Sequence, residues 1–240
     1  MTEYIADNEA KLHSKLFNML SCSEEKEPAV IFDVGANIGQ SIELFKKNVP
    51  DCLIHSFEPS PDVFTELEKR WGKESNVILN PIALFEQDKQ YKFYATEASV
   101  ASSLLPPDPT LTALSKDDKY QYTVLDVPCE TLDSYCQRKN VERIDILKLD
   151  VQGTELSVLK GASNLLKNAK IRFIFLEAIF AETYVNQWQL NDMLNLTERY
   201  GYKLWDFLPS CYSNSGRLWY GNMIFVSDKD TRNLERLSRI

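Results

Sequence analysis

Val30-Ile-Phe-Asp-Val-Gly-Ala-Asn-Ile-Gly39 is the stretch on which the fold turns. Val30, Ile31 and Phe32 read as the end of a buried strand with Asp33 at its carboxyl end. Gly35, Asn37 and Gly39 follow at alternate positions, and Ile38, Ile42 and Phe45 then recur at helical spacing. The pattern is strand, glycine-rich turn, helix. Glycine suits such a turn because the backbone takes φ > 0 and a ligand can approach with no Cβ in the way. The spacing is not the dinucleotide fingerprint G-x-G-x-x-G, and it lacks the lysine of a phosphate-binding P-loop. A turn that offers Asp33 suits a cationic or hydroxyl-bearing ligand better than a pyrophosphate.

A second anchor follows. Leu53-Ile-His-Ser-Phe57 reads as the next strand and ends at Glu58-Pro59, with Glu58 nineteen positions after Gly39. An acidic residue there is where nucleotide-binding folds grip ribose hydroxyls. Ser60-Pro61-Asp62 opens a helix with an N-cap type, a proline at the first helical position and a carboxylate in the first turn. Together the two anchors favour a nucleoside-binding α/β domain.

The 240 residues suit one such domain with additions. The net charge of -8, with no basic run, argues against a nucleic-acid partner. No apolar run approaches the ~20 residues that span a bilayer, and the N-terminus lacks the pattern of a signal peptide. The five scattered cysteines, none in Cys-x-x-Cys, fit free thiols in a reducing cytoplasm.

Along the chain, residues 2–20 place Ile5, Leu12, Leu16, Phe17 and Leu20 on one helical face, as a helix packed on the sheet or as a lid over the site. Residues 1–28 are therefore read as helix and linker, and 29–240 as one domain with an insertion at about 86–128. A third strand is expected from Val77 through Ala83, then two short strands, Tyr91 to Tyr94 and Tyr122 to Val127. Ser99 to Pro109 between them is irregular, and such a segment is read as acceptor-contacting and loosely held. A short helix opens near Thr131. Ile144 to Leu149 forms a strand ending at Asp150, and Thr154 opens one helix carrying Leu156, Leu159 and Leu166. A fifth parallel strand runs from Ile171 to Leu176 and ends at Glu177. A helix around Gln187 to Tyr200 and a closing hairpin complete a doubly wound sheet whose last strand runs antiparallel. Ligands of such sheets lie beyond the carboxyl ends of the strands, where Asp33, Glu58, Asp150 and Glu177 are all expected.

Asp33-Val-Gly-Ala-Asn-Ile-Gly39, Phe57-Glu-Pro-Ser-Pro61, Asn80-Pro-Ile-Ala-Leu84 and, above all, Leu149-Asp-Val-Gln-Gly-Thr-Glu-Leu-Ser-Val-Leu-Lys-Gly-Ala162 resemble the FkbM-type methyltransferases. The resemblance implies the Rossmann-like class I methyltransferase fold, with a seven-stranded mostly parallel sheet, an antiparallel last strand, and here an N-terminal helix and a small β insertion. It implies S-adenosylmethionine as cofactor, with Asp33, Gly35, Ala36, Asn37 and Gly39 at its amino-acid end. Glu58 and Pro59 would lie at the ribose, Ala83 and Leu84 at the adenine, and Asp150 near the sulfonium and the acceptor. Family members often carry Glu where this chain has Gln152, whose amide still hydrogen-bonds.

An alcohol acceptor must lose a proton to a base within reach. His55 inside a strand reads as packed, and His13 on the first helix as solvated, so the base is expected to be Asp150 or Glu177. Alternatively, a magnesium or manganese ion held by carboxylates lowers the hydroxyl pKa. The activity expected first is O-methylation of a sugar or another small metabolite. A non-catalytic module of the same fold and a nucleotide-dependent oxidoreductase are the alternatives, the last disfavoured by the missing fingerprint.

Overall fold

The computed structural model describes residues 2–21, 27–110, 120–213 and 216–237. Helix α1 (Thr2–Ser21) precedes strand β1 (Val30–Val34), α2 (Gln40–Asn48), β2 (Leu53–Phe57), α3 (Pro61–Trp71) and β3 (Val77–Asn80). The strands β4 (Ala83–Leu84), β5 (Lys89–Thr96) and β6 (Tyr122–Glu130) follow, then α4 (Leu132–Lys139) and β7 (Ile144–Leu149). Two short helices, α5 (Glu155–Lys160) and α6 (Ser163–Lys167), lead to β8 (Ile171–Ile179) and α7 (Leu190–Arg199). The chain closes with β9 (Tyr202–Tyr212), β10 (Leu218–Ser227) and α8 (Asp228–Leu237).

Seven strands form one sheet in the order β3-β2-β1-β7-β8-β10-β9. β1, β2, β3, β7 and β8 pair in parallel, while β10 runs antiparallel to both β8 and β9. This is the class I methyltransferase arrangement. Alternation along the strands feeds two cores, because successive side chains point to opposite faces. Ile31, Ile54, Ile146 and Phe173 face Leu12, Leu16, Ile42, Phe45 and Leu67. Phe32, Leu147, Leu149 and Ile174 face Leu132, Tyr135, Leu159, Leu166 and Met193.

Several expectations need correcting. The third strand stops at Asn80, where Pro81 interrupts the ladder, and Ala83–Leu84 joins a separate three-stranded sheet of order β4-β6-β5. The single helix expected after Thr154 is broken at Gly161, whose backbone lies against Phe85; a Cβ there would meet Phe85 O at 2.2 Å. Thr154 Oγ1 does not cap that helix but donates to Val151 O at 3.1 Å. Thr131, by contrast, caps α4 by accepting from Ser134 N at 3.1 Å. The lid role for α1 fails, because Leu12, Leu16, Phe17 and Leu20 are buried in a core and Lys15 pairs with Asp206 of β9; the side chain of Ile5 lies outside the described residues. His13 is not solvated. Its ring lies 5.0 Å from that of Phe175, and burial pushes its pKa down to about 4. Among the described residues, no helix is long and apolar enough to cross a membrane.

Candidate active site

The glycine turn is wedged between two strand ends. Gly35 and Ala36 donate their N–H groups to Phe57 O at 3.1 and 3.0 Å, and Asp150 N donates to Val34 O at 3.0 Å. Gly35 has φ +78°, and a Cβ on it would meet Asp150 O at 1.9 Å. Only glycine lets β1 and β7 end this close. Gly39, with φ +90°, stands at the N-cap of α2 and abuts Trp71. It supports the turn from behind and does not line the cleft.

A cleft of about 300 Å³ opens above these ends, lined by Gly35, Ala36, Asn37, Glu58, Pro59, Ala83, Leu84 and Asp150, and also by Lys148 and Gln152. The structure thus brings most of the expected residues to one cavity. Glu58 is its most constrained acid. Its Oε2 accepts from Asn37 N at 3.0 Å and its Oε1 from Ser60 N at 2.9 Å, which fixes the carboxylate across the turn. Burial pushes its carboxyl up to about 7, against the pull of those two N–H donors.

Asp33 is placed differently from the expectation. Val34 extends β1 by one residue, so the Asp33 side chain is fully buried beneath the turn. Strand register sets it opposite Lys148 of β7, whose Nζ lies 3.0 Å from Asp33 Oδ1 and 3.5 Å from Asp150 Oδ2. The same ammonium donates to Gly35 O at 3.1 Å. Burial opposes charge on both partners, and the two flanking carboxylates keep Lys148 protonated. Lys148 therefore ties the glycine turn to the end of β7, a role missed in the sequence. The only signal was a lysine, with Asp145 one of two charged residues in a strand otherwise apolar.

At the other side of the cleft, Asp150 is partly exposed, its side chain 42% accessible. Glu177 lies two residues before the end of β8, not at its tip, and is half-buried. Gln152 joins the two: its Nε2 donates to Asp150 Oδ1 at 3.0 Å and to Glu177 Oε2 at 2.8 Å. Tyr184 Oη lies 2.9 Å from both Gln152 Oε1 and Ala101 O. Glu155, in the first turn of α5, is fully buried. It accepts from Val151 N, Gly153 N and the indole of Trp188 at 3.1, 3.2 and 2.6 Å, and burial pushes its carboxyl up to about 7. It thereby holds the loop after Asp150 from inside.

The irregular segment after Ser99 does border the cleft, through Ser99, Val100, Ser102, Ser103 and Leu104. It is tied down on three sides. Asn37 Nδ2 donates to Ser99 Oγ at 3.1 Å, Ser103 bridges Tyr94, and Val185 N donates to Pro106 O at 2.9 Å. His55 is packed, with Nδ1 2.8 Å from Tyr135 Oη, and plays no part in the cleft. Among the described residues, no three His, Cys, Asp or Glu side chains gather as a metal-binding group.

A model of the "Methyltransferase FkbM domain" matches residues 33–204. The chain belongs to the FkbM methyltransferase family. The match covers every residue of the cleft named above. The 2-O-methyltransferase NoeI of Sinorhizobium fredii is 28% identical over 197 residues, covering 78% of this chain and 76% of that protein. The hexuronic acid methyltransferase AglP of Haloferax volcanii is 27% identical over 158 residues, covering 66% of this chain and 59% of that one. Among solved structures, the magnesium protoporphyrin IX methyltransferase ChlM of Synechocystis, with S-adenosylmethionine bound, has a TM-score of 0.49 at 11% identity, covering 92% of this chain and 80% of that chain. The FkbM chain is thus a methyltransferase, and the cleft lies beyond the carboxyl ends of its parallel strands, where ligands of open α/β sheets bind.

Proposed function

We propose that this FkbM-family chain is an S-adenosylmethionine-dependent O-methyltransferase acting on a hydroxyl of a saccharide or a similar small metabolite. The observation that carries the reading is a cleft with a buried carboxylate, Glu58, at one side and Asp150 and Gln152 at the other, the Gln152 amide also bonding Glu177. The residues fit the cofactor. Glu58 has lone pairs left for ribose hydroxyls, Pro59, Ala83 and Leu84 supply an apolar wall for a base, and the turn from Gly35 through Asn37 offers backbone to the amino-acid end. Asp33 and Gly39 act on that end indirectly, one through Lys148 and the other through the turn. S-adenosylmethionine supplies a methyl group made electrophilic by the sulfonium that carries it.

The chain's own residues do the rest. Walls on both sides of the cleft fix the acceptor hydroxyl, and such positioning accounts for much of the lowering of a displacement barrier. Asp150, at the lip, takes the hydroxyl proton onto its carboxylate, with Glu177 joined to it through Gln152. The name of NoeI, a 2-O-methyltransferase, supports transfer to oxygen, and that of AglP, a hexuronic acid methyltransferase, supports a sugar as the acceptor. The net charge of -8 favours a small molecule over nucleic acid. One domain, residues 29–240, would carry both sites. The four described cysteines are all free, which suits work in the cytoplasm.

The test is transfer of labelled methyl from S-adenosylmethionine to a panel of neutral and uronic-acid oligosaccharides. Product methylated on oxygen is expected, with turnover at least ~100-fold lower in Asp150→Asn and cofactor affinity much less changed. Methyl on nitrogen, or near-normal turnover by Asp150→Asn, would overturn the proposal.

A further inference from the structure

We propose that Gln152 is a positioning residue that stands where a cation would otherwise sit. Its amide holds the Asp150 and Glu177 carboxylates together, so that methyl transfer runs without a divalent metal. The inference rests on the reading of Asp150 as the base.

Two carboxylates that converge on one point repel each other unless something positive lies between them. Here that position is filled by Gln152 Nε2, 3.0 Å from Asp150 Oδ1 and 2.8 Å from Glu177 Oε2. A side-chain amide nitrogen carries two N–H donors, and each has one carboxylate. The orientation of the amide follows from the two carboxylates, since the reversed amide would aim its oxygen at both. Gln152 Oε1 then faces the Tyr184 hydroxyl at 2.9 Å, which shares its one proton between that oxygen and Ala101 O.

The backbone adds an independent argument. Gln152 has φ +54°, in the left-handed region that disfavours any residue with a Cβ. Glycine would adopt that conformation at less cost, and the next residue is Gly153. The strain persists because the surroundings over-determine it. Ser103 Oγ donates to Gln152 O at 2.7 Å, and Glu155 accepts from Val151 N and Gly153 N on either side. A strained backbone held from three directions presents this one side chain to the carboxylates.

Magnesium and manganese prefer a shell of oxygen ligands. Glutamate has the length of glutamine, so Gln152→Glu exchanges two donors for a third carboxylate at the same point. The contrast can be read with manganese alone. Manganese chloride is titrated into wild type, Gln152→Glu and the double variant Gln152→Glu/Asp150→Asn, with free manganese followed by its electron paramagnetic resonance signal. Gln152→Glu should bind manganese at least about tenfold more tightly than wild type, with that gain lost in the double variant. Wild-type methyl transfer should survive a chelator.

Equal manganese binding by wild type and Gln152→Glu, or a gain that survives Asp150→Asn, overturns the inference. Should Gln152→Glu fail to fold, wild type still decides. Manganese binding by wild type that disappears in Asp150→Asn, or chelator-sensitive transfer, counts against the amide; chelator-resistant transfer with no such binding supports it. Failure of every acceptor would instead sink the sugar reading and leave the manganese result standing.

Discussion

Glu58 is a carboxylate held by two backbone N–H groups and pushed by burial up to about 7. Glu58→Ala removes the acceptor proposed for the ribose hydroxyls, and with it charge-assisted bonds of about 1.5–3 kcal/mol each. Calorimetry should show S-adenosylhomocysteine affinity falling well over tenfold. The same residue sets a pH dependence. Hydroxyl donors favour the ionised form, so wild-type affinity should be full above about pH 8 and fall as pH drops through 7. Asp33 and Lys148, which also face this region, remain in Glu58→Ala, where the slope should flatten. A slope unchanged in the variant would assign the titration elsewhere. At this scale much of the site could be read from the chain, because Glu58 and Asp150 follow apolar runs at strand ends. Asp33 was misplaced because one more strand residue turns a side chain from rim to interior. The partners of Lys148 and Gln152 were not legible, since a register pairing and a positive φ put these side chains in place, though Gln152 had stood out through the resemblance.

The loop from Asp150 to Glu155 shows how a short element is stabilised by a buried acid. Glu155→Gln sets an amide N–H₂ against at least one of three N–H donors, so a buried donor loses its acceptor at a cost of about 1–3 kcal/mol. Denaturant unfolding should register that loss. Since the folded pKa of Glu155 is raised, its stabilisation is fullest below the unfolded value and fades as pH rises through about 7. The margin over the glutamine variant should therefore be widest below about pH 4.5 and narrow as pH rises through about 7; a margin that widens would contradict the assignment. The segment from Ser99 to Pro109 looked loose for want of periodicity, yet its bonds run to Tyr94 just upstream and to Asn37 and Tyr184, both far away in sequence. Hydrogen exchange should find the amides of Ser103, Asp108 and Val185 protected, because each donates to a partner across a loop. Exchange as fast as in an open chain would show that these contacts do not hold in solution.

Over the whole molecule, the succession of parallel strands was legible as far as β8, because β1, β2, β7 and β8 are each an apolar run followed by a helix. The break after Asn80 was hidden by the apolar residues on both sides of Pro81. The hairpin at the end was legible too, though its consequence was not. β10, the last of the described strands, is an interior one: it pairs with β8 on one side and β9 on the other. Met223, Ile224 and Phe225 are buried along it. Until residue 227 is available, β8 shows an open edge and β9 has no sheet to join, and open edges invite wrong pairing. In synthesis, β10 therefore closes the sheet after every other strand of it has emerged. Chains stalled with β10 still inside the exit tunnel should stay protease-sensitive beyond β7, and those long enough to bring α8 out of it should become resistant in a single step.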